Sequence, residues 1–67
     1  MVTTPATTEA TLVPLLLETL EALAVAGEVD RACRIAGRAC VALRHSDPAA
    51  SRRFDVWLHR QIKRLNG

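Results

Sequence analysis

The sequence predicts an all-α fold: a three-helix bundle in which a helical hairpin is followed by a basic C-terminal helix. Three observations carry this expectation. Ala, Leu, Arg and Glu dominate the 67 residues, Tyr is absent, and Phe54 and Trp57 are the only aromatic side chains, so strand-favouring residues are scarce. Apolar residues recur at intervals of three and four, the period of an amphipathic helix. Two breaks, at Gly27 and at Ser46-Asp47-Pro48, divide the periodic stretches into three.

Residues 1–10 are Thr-rich, contain Pro5 and lack periodicity, which predicts a flexible arm ahead of a single domain over 11–67. Thr11 is suited to cap a first helix over 12–26, with Pro14 in the first turn, where a missing N–H costs little. Leu12, Leu15, Leu16, Thr19, Leu20 and Leu23 are expected to face the core. Leu17 falls off that face, beside Glu21, and is a candidate for contact with something outside the monomer. Gly27 then ends the helix, where glycine relieves the left-handed conformation.

The second helix is predicted over 29–44. Its core face is Val29, Ala32, Ile35, Ala36, Ala39, Cys40 and Leu43, with Cys33 at the margin. Arg31, Arg34 and Arg38 form a separate basic stripe. Asp47 as cap and Pro48 at the first helical position open a third helix over 48–65. There Phe54, Leu58, Gln61, Ile62 and Leu65 are expected inward, and Arg52, Arg53, Val56, Arg60, Lys63 and Arg64 outward. Trp57 is expected on the edge between the two faces.

A chain this short buries only about 60% of its unfolded surface, so it needs a staple, very good helix packing or a partner. No staple is expected. Seven helical residues put Cys33 and Cys40 about 10 Å apart, beyond disulfide reach, and their spacing does not match a zinc site. They read as small buried hydrophobes kept reduced. The first eight residues have neither a basic nor an apolar signal region, and the longest apolar run, Leu12 to Leu17, is far short of the ~20 residues of a membrane span. A cytoplasmic protein without a membrane partner is therefore expected. The heavy use of Arg and Ala suggests a GC-rich bacterial genome.

Catalysis has little to work with. No Ser/His/Asp, Cys/His or paired-carboxylate arrangement can be assembled, the glycines stand alone at 27, 37 and 67, and neither cofactor nor metal is expected. Charge is more informative. Residues 1–30 hold five acids and no base, and residues 31–67 hold nine bases and two acids, giving −5 and +7. An acidic first helix can lie against the basic later ones, or the basic part can meet an acidic partner or nucleic acid.

Gly27-Glu28-Val29-Asp30-Arg31-Ala32, with Ala36 and Ala39, resembles the turn and second helix of a tetratricopeptide repeat. Leu16, Thr19, Leu20 and Leu23 stand at the signature positions of that repeat's first helix, although the family favours aromatics at some of them. The resemblance covers about half the chain and implies a helical hairpin and peptide or protein binding. Arg34-Ile35-Ala36-Gly37-Arg38 also resembles the alanine–glycine turn of a DNA-reading helix-turn-helix. However, Arg38 stands where that motif takes an apolar residue, and the run to Leu43 reads better as one unbroken helix.

Arg53, Arg60 and Arg64 surround Trp57 at helical spacings, a grouping suited to cation–π contact, base stacking or anchoring a protein. With Leu17 they are the candidate binding residues. The expected function is a small non-enzymatic protein–protein interaction module, self-associating or docking on a larger partner. The alternative is a nucleic-acid-associated accessory protein that binds phosphates through the Arg-rich face of the third helix.

Overall fold

The computed structural model describes residues 5–66, with side chains over 11–66. Three helices follow in order: α1 (Pro5–Val25), α2 (Val29–Leu43) and α3 (Pro48–Asn66). α2 packs against α3 most extensively and against α1 next, while α1 and α3 meet over a small area. The expected all-α three-helix bundle is thus the observed fold. It is drawn out, with a radius of gyration of 12.7 Å, where a compact chain of this length would have about 11 Å. Among the described residues no helix is long and apolar enough to cross a membrane.

Both breaks form as their residues dictate. Gly27 adopts φ +95°. Its N–H donates to the Ala24 carbonyl at 3.0 Å, and that of Glu28 to the Leu23 carbonyl at 3.1 Å. This pair of bonds is the Schellman ending, which satisfies two carbonyls the helix would otherwise leave open. At the second break the Asp47 Oδ1 accepts the N–H of Ala50 at 3.1 Å, and Pro48 is the first residue of α3.

The core is small and is built on α2. Ala32 and Ala36 are fully buried, and their short side chains let the other helices come close to the α2 backbone. Phe54 and Leu20 are the largest fully buried side chains, joined by Val13, Ala50 and Trp57. Each large apolar side chain removed from water contributes roughly 1.5–3 kcal/mol. One polar pin joins α2 to α3. The Ser51 hydroxyl donates to the Cys40 carbonyl at 2.7 Å, which leaves the Cys40 thiol, 3.2 Å from Ser51 Oγ, as donor to that oxygen. Cys33 and Cys40 are half-buried free thiols.

Several expectations are corrected. α1 begins at Pro5, so residues 5–10 of the expected arm are helical, and residues 1–4 lie outside the described residues. Thr11 is consequently an interior residue, and Pro14 lies inside α1 rather than in its first turn. The Pro14 ring is exposed. The run Arg34–Arg38 contains no turn, since α2 passes through it unbroken.

The buried face of α1 is rotated from the expected one. Val13 and Leu20 are its buried residues, Leu16, Leu17 and Leu23 pack partly against them, and Leu12, Leu15 and Thr19 are exposed. Apolar residues surround this helix, so periodicity alone does not choose a face; the neighbouring helices do. In α3, Ile62 and Leu65 are exposed although both were expected inward. Leu65 lies beside Val25 and Val29 at the α1–α2 turn, where nothing further among the described residues covers it. Trp57, expected at the margin, is 7% exposed and belongs to the core.

Candidate functional site

The sparse contact between α1 and α3 opens a groove of about 670 Å³ along the N-terminal part of α3. Its apolar lining is Leu17 from α1 and Pro48, Ala49, Val56 and Trp57 from α3. Arg52, Arg53 and Arg60 form the rim. Their spacing follows from the helix. Arg52, Val56 and Arg60 are four apart and share one stripe, while Arg53 and Trp57 share the adjacent one. The structure therefore brings together Leu17, Arg53, Trp57 and Arg60, four of the five candidate residues.

Arg64 is not among them. Its Nη1 donates to Glu21 Oε2 at 3.1 Å and makes a longer contact of 3.4 Å with Gln61 Oε1. The other oxygen of the same carboxylate, Glu21 Oε1, accepts the Trp57 indole N–H at 3.0 Å. Both Glu21 oxygens are thus engaged across the α1–α3 contact. The indole bond first, and the Arg64 bond second, hold the Glu21 carboxyl below its ordinary value of 4.5, against a smaller opposing effect of burial. Among the described residues, the acidic first helix and the basic third meet at this one carboxylate.

The remaining charges behave differently. Arg52, Arg53 and Arg60 are exposed, and among the described residues no carboxylate stands within ion-pair distance of any of them. Glu18, one residue before the exposed Thr19, also has no ion pair among the described residues. The Trp57 ring is committed to the core by its burial and by its bond to Glu21, so it offers little surface to a partner. It is the floor of the groove, not a projecting anchor.

A smaller recess of about 240 Å³ lies at the other end of the α1–α3 contact, between Ala24, Val25, Val29, Gln61, Arg64 and Leu65. Gln61 is 2% exposed there, and its Nε2 has no hydrogen-bond partner among the described residues. Among the described residues no three His, Cys, Asp or Glu side chains converge to hold a metal ion.

Sequence reasoning missed Arg52, Pro48 and Ala49 as groove residues, and Glu21 as the partner of Trp57. Arg52 was legible from its spacing to Val56 and Arg60. Glu21 was not, because its partner lies on another helix and periodicity says nothing of which helices adjoin. No family model, curated protein or solved structure matches this chain.

Proposed function

We propose that this chain is a small non-catalytic protein–protein interaction module whose contact surface is the groove between α1 and α3. One observation supports the reading: an apolar floor of Leu17, Val56 and Trp57, rimmed by three guanidinium groups that have no ion pair among the described residues. A shallow apolar trough flanked by unpaired charge of one sign suits an amphipathic helix with acidic flanks, which fills the floor and supplies the missing carboxylates. The resemblance of the α1–α2 hairpin to a tetratricopeptide repeat points the same way.

The same arginines suit phosphates, which is the competing reading. Against it stands the burial of Trp57, the chain's single large aromatic platform, which at 7% exposure cannot stack on a base. An apolar trough is also of no use to a phosphate backbone. The two readings part under salt. An acidic amphipathic helical peptide should shift the NMR resonances of Leu17, Val56 and Trp57 as well as the arginines, and should keep binding at 0.3 M salt, roughly twice physiological strength. A DNA duplex should touch the arginines alone and weaken with a slope near −0.9 per phosphate neutralised. Duplex binding tighter than peptide binding at ~0.15 M salt, with resonances of the groove floor unmoved, would replace the protein-binding reading with the nucleic-acid one.

A further inference from the structure

We infer that the occupant of the groove is α1 of a second copy of this chain, so that two copies pair by exchanging the outer faces of their first helices. The inference rests on the protein-binding reading of the groove and names the partner.

The chemistry the groove asks for is present on the protein itself. α1 carries apolar residues around its circumference, yet in one copy only one side of it is covered. Leu12 and Leu15 are each 54% exposed. Helices apolar all round are ordinarily buried all round. Glu18 lies on the uncovered side, and among the described residues no cation pairs with it. Residues 1–30 contain no base at all, so nothing on α1 repels an arginine rim. Unpaired carboxylate and unpaired guanidinium, exposed apolar ridge and open apolar trough are thus the two halves of one contact.

The geometry allows both halves to be used at once. α1 forms one wall of the groove through Leu17. At about 100° per residue, Pro14, Glu18 and Leu15 follow Leu17 round the helix at roughly 60°, 100° and 160°. The stripe that would enter a partner's groove therefore borders the groove of its own copy. Two copies related by a two-fold axis can lay their first helices side by side, each placing Leu15 over the other's floor and Glu18 against the other's Arg53 and Arg60. Such an interface uses the same patch on both copies and closes as a dimer rather than growing into a filament. Glu21 takes no part, because its oxygens are held by Trp57 and Arg64 of its own chain.

The test is sedimentation equilibrium on the full chain from micromolar to millimolar concentration, at low and moderate salt, with circular dichroism to confirm that each variant is folded. The unaltered protein should dimerise reversibly. Glu18→Arg alone, and Arg53→Glu with Arg60→Glu, should each weaken the dimer at least about tenfold by placing like charges together. Mixing these two variants should restore a heterodimer, since every contact then pairs opposite charges. All three positions are exposed, so loss of folding does not account for such a pattern. A monomer at every concentration would overturn the inference. So would association that ignores both charge changes, or that mixing does not restore. Peptide binding in the groove by a strictly monomeric protein would leave the protein-binding reading standing while removing the second copy as its partner.

Discussion

Replacing Gln61 with Met should make the protein more stable. Gln61 lies on the inner side of α3 at 2% exposure, and its Nε2 finds no hydrogen-bond partner among the described residues. A buried donor left unmade costs about 1–3 kcal/mol, because it gave up water and gained nothing in return. Its Oε1 receives only the 3.4 Å contact from Arg64, which at that length offsets about 0.5 kcal/mol. Methionine is unbranched and close to glutamine in volume, so it fills the site without a cavity and without the orphaned donor. Arg64 keeps its bond to Glu21. The net gain is therefore about 1–2 kcal/mol, and for a domain of this size each kcal/mol raises Tm by roughly 4–8 °C. Thermal and urea melts followed by circular dichroism at 222 nm would measure it, with an unchanged urea slope showing that the folded state is equally compact. A Tm equal to or below that of the unaltered protein would refute the reasoning, since it would mean that the Gln61 amide is well satisfied in solution.

Four further outcomes follow from the turns, from Gly37 inside α2 and from the Glu21 contact. Asp47→Ala removes the cap of α3 and should cost about 1 kcal/mol, read as a lower Tm. Gly27→Ala forces a Cβ into a residue held at φ +95° and should destabilise by about 1–2 kcal/mol. Gly37→Ala should do the reverse, because a Cβ there meets nothing within 4 Å and helix propensity gains about 0.5–1 kcal/mol; equal melts for the two variants would contradict both. Glu21 has a folded value below 4.5, and a depressed carboxylate adds stability that is complete above the unfolded value and lost as pH falls through the folded one. Melts should therefore show Glu21's contribution intact above pH 4.5 and declining below it. Glu21→Gln should flatten that part of the acid limb, and an unchanged limb would show that the Trp57 and Arg64 bonds do not favour the ionised form.

The sequence by itself determined the helices and the places where they stop. Gly27 and Asp47-Pro48 act through their own backbone chemistry within a few residues, so their effect is written locally and the structure repeats it. The core face of α2 was legible for a related reason: its apolar residues occupy one side and its arginines the other, and only one orientation buries the first set. Tertiary packing decided what local pattern left open. Around α1 leucines and valines point in every direction, so which of them became core depended on where α2 and α3 lie. Residues 5–10 joined that helix although no periodicity marked them, since helix formation needs only compatible residues. Trp57 moved from the margin into the core because Glu21, on a helix thirty-six positions away in sequence, supplied the acceptor that lets a buried indole N–H be satisfied. The groove itself is a property of the space between α1 and α3. Its arginines and its floor were each readable in α3, but their meeting with Leu17 required knowing that those two helices stand side by side with too little contact to close.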